Sequence, residues 1–317
     1  MNFYNAPVVS IACIAYNQEL YIAQTIEGFL MQKTTFPFEI IINDDASTDN
    51  TTKIIEEYAF NNPNLIFSIF QKENQYSKGL NPLNEFVIPK CKGRYIAICE
   101  GDDYWTDPLK LQKQVDFLEK NPDYGLVYSK VKLFNHKDNK FLKKTYGGKF
   151  LSIEDLFISN YIPTPTAVFR TRLFSEYLTD VKPLEKKWLM GDYPLWMYIT
   201  SVSRVKFMDV TFSVYRILES SATHSTDYKK ELLFVESYLA IKLYFMKELR
   251  YCHLENKIME HYFTAKAHIY LFKNEQNRLE LVREIESCNS HSFKIRLLKF
   301  VMNDIFLRKI LKLYWST

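Results

Sequence analysis

Glu100, Asp102, Asp103 and Asp107 fall within nine positions of "EGDDYWTDP" (100–108), directly after the apolar run "RYIAIC" (94–99). Like charges this close repel, so the arrangement is costly unless a cation sits among them. Glu100, Asp102 and Asp103 supply hard oxygen donors on a short turn. Mg²⁺ or Mn²⁺ is held in this way, by one or two carboxylates together with substrate phosphates. An acidic solvated turn that also caps the next helix would look the same. A second acidic cluster, "NDDASTD" (43–49), carries Asp44 and Asp45. A carboxylate there can accept a hydrogen bond from a base N–H or a ribose hydroxyl. It can equally serve, through Asp45, Ser47 and Thr48, to cap a helix. Tyr16 and Asn17 close an earlier apolar run, and the Tyr16 ring is either a surface for stacking a base or a core tyrosine.

The elements that must position these groups follow a clear rhythm. "VVSIACIAY" (8–16) and "FEIIIND" (38–44) are continuous apolar runs of strand length, as expected for strands buried on both faces. Between them the spacing predicts a helix over 20–32, and "STDNTTKIIEEYAFNN" (47–62) predicts a second, with Ser, Thr and Asp available as caps. Strands follow at 64–71 and 94–100, then a helix to about Lys120, with Asp107 as N-cap and Pro108 at its first position. This alternation implies an α/β layer with a mostly parallel sheet. Ligands in such sheets bind at the carboxyl ends of the strands, where both acidic clusters fall. Further on, 124–134 reads as a strand, 135–190 is mixed, 192–202 is helical and 205–217 reads as two short strands. From about Thr226 there is no Gly or Pro, and long amphipathic patterns predict a helical C-terminal region.

The chain has 317 residues, 47% of them hydrophobic and 25% charged, so a packed core is expected. A net charge of +4 is too mild to suggest nucleic acid. Five cysteines form no C-x-x-C pair, which suits reduced thiols and a cytoplasmic location. The opening residues show no basic n-region or cleavage site, so no signal peptide is expected. There is no G-x-G-x-x-G, no G-x-x-x-x-G-K-[ST], no H-E-x-x-H and no G-x-S-x-G. The usual backbone cradles for phosphate are missing, so a bound nucleotide would need a metal.

Five segments in order, "VSIACIAYNQELYIAQTIEGFLMQ", "FEIIINDDASTDNT", "GRYIAICEGDDYWTDPLKLQKQVDFL", "MGDYPLWMYI" and "FSVYRI", resemble the family 2 inverting glycosyltransferases. The resemblance implies an α/β fold of GT-A type, a Rossmann-like mostly parallel sheet flanked by helices. It implies a catalytic domain over 1–225 and a helical region over 226–317. It further implies that Tyr16 lines the base pocket and that Asp44 or Asp45 contacts the base. The motif at Glu100, Asp102 and Asp103 would bind the donor diphosphate through Mn²⁺ or Mg²⁺, with Asp102 and Asp103 as ligands. Glu100 stands where the family more often has Asp, which favours Asp102. Asp192 of "MGDYPLW" matches the general base at the acceptor mouth, although its type and place suit an N-cap as well. Lys78 is the basic residue offered before the metal motif, Arg216 matches a position near the diphosphate, and His224 is polar lining or plain surface.

The implied activity is a hexosyl transfer from a nucleotide-diphosphate sugar, in the first instance a UDP sugar, to a hydroxyl of a glycan or glycolipid. One in-line displacement needs a base for the acceptor proton and positive charge on the leaving diphosphate, and no enzyme nucleophile. The alternative is a non-catalytic nucleotide-sugar or sugar binding protein on the same scaffold. Residues 293–315 carry six basic residues and one acid, with Ile295, Leu298, Met302, Ile305 and Leu313 on one face of a continuous helix. Such a helix offers peripheral membrane contact, or it docks on the catalytic domain.

Overall fold

The computed structural model describes residues 6–218, 227–288 and 292–316. β1 (Val9–Ala15) and β2 (Phe38–Asp44) are buried along nearly their whole length. β1 pairs in parallel with β2 and with β4 (Tyr95–Ile98), and β2 pairs in parallel with β3 (Ile66–Phe70). α1 (Ile22–Leu30) and α2 (Thr51–Asn61) form the crossovers. This half of the sheet is the one expected from the apolar runs. Its core joins Val9, Ile11 and Cys13 of β1 to Ile22, Ile26 and Phe29 of α1, and to Ile40 and Ile42 of β2.

The second half is mixed. β8 (Val168–Arg170) lies antiparallel between β4 and β6 (Tyr124–Asn135). β9 (Arg204–Ile217) runs parallel to β6, and the short β5 (Tyr104–Trp105) pairs antiparallel with β9. The full order is β3-β2-β1-β4-β8-β6-β9-β5, with β7 (Lys140–Tyr146) paired to β6 outside that path. α3 (Lys110–Lys120), α5 (Thr171–Asp180) and α6 (Asp192–Val202) complete this part. β9 replaces the two short strands expected over 205–217. It is one strand whose register against β6 shifts between Ser129 and Val131, so the break seen in the pattern is a bulge and not a turn.

The chain divides into two compact units, residues 1–151 with 160–217, and residues 152–159 with 218–317. The second unit is helical: α4 (Ile153–Ile158), α7 (Tyr228–Glu248), α8 (Glu255–Lys273), α9 (Arg278–Ser287), α10 (Phe293–Asn303) and α11 (Ile305–Ser316). Its core gathers Phe263, Tyr270, Leu281, Ile295 and Met302. Lys266 is buried there between Glu284 at 2.6 Å and the Tyr262 hydroxyl at 3.0 Å, so its charge is neutralised locally. Residues 293–315 are not one continuous helix. Asp304 accepts from the backbone N–H groups of Phe306 and Leu307 at 2.8 and 2.9 Å, and starts α11 in a new direction. The expected stripe divides accordingly: Ile295 and Met302 are buried, while Ile305 and Leu313 are exposed.

Candidate active site

β4 runs straight into the acidic turn. The Gly101 amide donates to the Ile14 carbonyl at 2.9 Å, and the Asp103 amide to the Glu100 carbonyl at 3.1 Å. The Thr25 hydroxyl of α1 lies 2.6 Å from the Asp103 carbonyl and 2.8 Å from that of Gly101. A Cβ on Gly101 would overlap the Gln18 side chain and stand 3.0 Å from Ile22 Cδ1 and 3.2 Å from Ala15 Cβ. Glycine thus lets the turn pack this closely on β1 and α1, and a larger residue would have to displace the Gln18 side chain. β9 closes the other side, where the Arg216 amide donates to Asp103 Oδ1 at 2.9 Å. The Arg216 guanidinium binds the Asp102 carbonyl and Gln24, and stacks 5.2 Å from the Tyr21 ring and 4.4 Å from that of Tyr104. It is a buried cation set against the turn.

That cation does not balance the charge around it. Burial, then Asp102 and then Asp192, push the Glu100 carboxyl from its ordinary 4.5 to about 8. Burial raises Asp102 too, with Arg216 pulling the other way. Asp103 is raised well above the usual carboxylate range by burial and by its two acidic neighbours. Asp103 is 1% exposed, and its Oδ2 has no hydrogen-bond partner. The site is thus short of positive charge. Among the described residues no group of three or more His, Cys, Asp or Glu side chains could hold a metal ion unaided. The donor set fits a divalent cation that takes the rest of its coordination from phosphate oxygens. The two expected ligands divide here. Asp102 keeps access to solvent, while Asp103 is interior and bonded to the backbone of β9.

At the ends of β1 and β2 the structure assigns the other expected residues. Tyr16 is 45% exposed, an open ring at the strand terminus and not a core tyrosine. Asn17 follows with φ 51°, its amide on the Ser47 hydroxyl and its side chain on the Thr48 amide. Asp44 accepts from the amide and hydroxyl of Ser47 and from the Thr52 hydroxyl. Asp45 accepts from the amides of Gln75 at 2.8 Å and Tyr76 at 3.0 Å. Both are nearly fully buried, and in this structure their carboxylates hold loops at the strand ends. Lys78 sits exposed on the loop that Asp45 anchors, paired with Glu73. His224 lies outside the described residues.

Asp192 opens α6. Its Oδ2 accepts from the Thr164 hydroxyl and its Oδ1 from the Tyr193 amide, both at 2.7 Å. Its charge helps raise Glu100, which puts the expected base within electrostatic reach of the acidic turn. Gly191 just before it has no room for a Cβ, because the Asn81 amide group occupies that space. Three site residues carried no signal in the sequence. Tyr146, at the end of β7, has its phenol pushed up to about 12 by burial and by Asp192. Tyr76, 41% exposed, is raised by burial and by Glu100. Thr164 is the hydroxyl on Asp192. The constellation can hold a cation, stack a flat ring and accept a proton.

Residues 10–178 match the model of the family described as "Glycosyl transferase family 2". An uncharacterized protein of Mycobacterium tuberculosis is 36% identical over 228 residues, 70% of this chain and 63% of that protein. The chain thus spans less than two thirds of the length of this relative. The Escherichia coli UDP-Glc:alpha-D-GlcNAc-diphosphoundecaprenol beta-1,3-glucosyltransferase WfaP is 29% identical over 230 residues, 71% of this chain and 83% of the enzyme. Among solved structures, S. aureus TarS 1–349 in complex with UDP-GlcNAc superposes with a TM-score of 0.55 at 17% identity, covering 97% of this chain and 91% of that one. That likeness concerns the fold alone, the GT-A arrangement of a sheet flanked by helices.

Proposed function

The chain belongs to glycosyl transferase family 2, and from that premise we propose that it transfers a sugar from a UDP-linked donor to a hydroxyl of a glycan or glycolipid with inversion. The observation that carries this is the charge-deficient cluster of Glu100, Asp102 and Asp103, with Asp192 in electrostatic reach of it. Asp102 would hold Mn²⁺ or Mg²⁺ together with the donor diphosphate. That ion, when bound, supplies the positive charge that lets the nucleoside diphosphate leave. Arg216 fixes the turn that presents Asp102, through the Asp102 carbonyl and the Asp103 carboxylate. Tyr16 stacks on the base. Asp45 acts indirectly, by holding the loop that carries Tyr76.

Asp192 takes the proton of the acceptor hydroxyl. The Thr164 hydroxyl and the Tyr193 amide fix its carboxylate, leaving lone pairs for that proton. No covalent intermediate is required. The related WfaP is named for a diphosphoundecaprenol-linked acceptor, which supports a lipid-borne glycan and a place in cell-envelope polysaccharide synthesis. The enzyme then works in the cytoplasm, at the inner face of the membrane.

Thermal unfolding with UDP, GDP, CDP and dTDP, each with and without Mn²⁺, tests the reading. A ligand bound only to the folded state raises the midpoint by mass action. A shift with UDP that needs Mn²⁺ and is lost in Asp102→Asn is expected. A flat panel from folded protein would overturn the donor assignment.

A further inference from the structure

α10 and α11 each turn one face into the core of their unit and leave the other uncovered. On α10, Phe293, Leu297 and Phe300 are 76%, 48% and 62% exposed and fall at i, i+4 and i+7. On α11, Phe306, Ile310, Leu313 and Tyr314 are 61–74% exposed and fall at i, i+4, i+7 and i+8. Such spacing aligns each set along one stripe. The opposite faces are occupied: Ile295 and Met302 are in the core, with Leu298, Leu311 and Trp315 packed against it. Much of the apolar surface of these stripes is therefore open to solvent.

The charge beside the stripes indicates what covers them. Residues 293–315 hold Lys294, Arg296, Lys299, Arg308, Lys309 and Lys312 against Asp304 alone. Lys294 pairs with Glu260, Lys299 with Glu286, and Arg308 and Lys312 with Glu275, so among the described residues Arg296 and Lys309 are the cations these ion pairs leave to the outer face. Arg296 and Lys309 are exposed and lie three residues beyond Phe293 and Phe306, about 60° round each helix from the stripe. Large aliphatic and aromatic side chains flanked by cations suit an interface with acyl chains and anionic headgroups. A second copy suits it poorly. Symmetric pairing sets a patch against itself and would bring Arg296 and Lys309 against the same cations of the other copy. We propose that the outer face of α10 and α11 docks on an anionic lipid surface. The proposal rests on the lipid-borne acceptor for its purpose, but docking needs neither donor nor acceptor, so the two readings can fail separately.

The test is co-sedimentation of the full chain with vesicles of phosphatidylglycerol and phosphatidylcholine, and with phosphatidylcholine alone. Binding to the anionic vesicles is expected. The triple substitution Phe300→Ser, Phe306→Ser, Ile310→Ser should weaken it at least about tenfold, with unchanged circular dichroism and an unchanged Mn²⁺-dependent UDP shift. Arg296→Gln with Lys309→Gln should weaken binding to anionic vesicles and make what remains less sensitive to salt. Protein that stays in the supernatant at every lipid concentration overturns the proposal, and so does equal binding by the triple variant. Self-association in sedimentation velocity that the triple variant abolishes, without vesicle binding, would assign the face to a second copy instead.

Discussion

Glu100→Gln tests the charge deficit directly, because it removes one negative charge and keeps the shape. In the metal-free folded protein Glu100 keeps its proton up to about pH 8, whereas an ordinary glutamate loses it near 4.5. Between those values the folded state binds more protons than the unfolded one, so stability falls as pH rises. The loss is absent below pH 4.5 and complete above pH 8. At about 1.36 kcal/mol per pH unit, the span from 4.5 to about 8 sets a ceiling near ~5 kcal/mol. Partial solvent contact of Glu100 and relaxation of its neighbours reduce this to about 2 kcal/mol. For a unit of this size that is about 4–8 °C in midpoint. Melts in EDTA should therefore show wild type and variant together at pH 5, with the variant more stable by that margin at pH 8. The Asp103 carboxyl, which Glu100 helps to raise, is relieved in the variant and adds to the difference in the same direction, while distant titrations cancel. Mn²⁺ with UDP should abolish the wild-type decline, since a bound cation stabilises the carboxylate. A difference that does not change with pH, or a variant less stable at pH 8, would refute the argument.

Three further outcomes follow from single contacts. Asp192→Asn should lower transfer by at least about a thousandfold while the UDP-induced shift survives, since the base acts on the acceptor; loss of that shift would remove Asp192 from the role. Gly101→Ala should cost about 2 kcal/mol in a chemical denaturation curve and weaken Mn²⁺-dependent UDP binding, because its Cβ overlaps Gln18 and crowds Ile22. Asp45→Ala should leave the sheet intact but speed hydrogen exchange at the Gln75 and Tyr76 amides at least about tenfold, since it removes their acceptor.

The parallel half of the sheet was legible because strands buried on both faces must be apolar throughout, as β1 and β2 are. β7 was not. Its "KFLKKTY" is exposed along nearly its whole length, and an edge hairpin held by pairing with β6 needs no hydrophobic alternation. The same limit hid Tyr146. In a chain with 22 tyrosines, one that feels the charge of Asp192 from a distant strand has no local mark. α4 joins the second unit although it ends 60 residues before the rest of it begins at 218, a grouping set by tertiary packing that no pattern in 152–159 announces.

The two acidic clusters looked alike as sequence, and the structure separates them by what surrounds each carboxylate. "NDDASTDNTT" carries Ser47, Thr48, Thr51 and Thr52 within a few residues of its acids. Two of these hydroxyls close on Asp44, and the Gln75 and Tyr76 amides close on Asp45. Those donors satisfy the hydrogen-bonding needs of both buried carboxylates. "EGDDYW" has glycine and aromatic residues where the other cluster has hydroxyls. Its donors are the single amide of Arg216 on Asp103 and the charge of a guanidinium bonded elsewhere, and burial with mutual repulsion prevails on Glu100. The density of acids alone therefore does not tell which carboxylates are already supplied with donors. The nearby hydroxyls and amides do, and where they are few the cation proposed above would restore the balance.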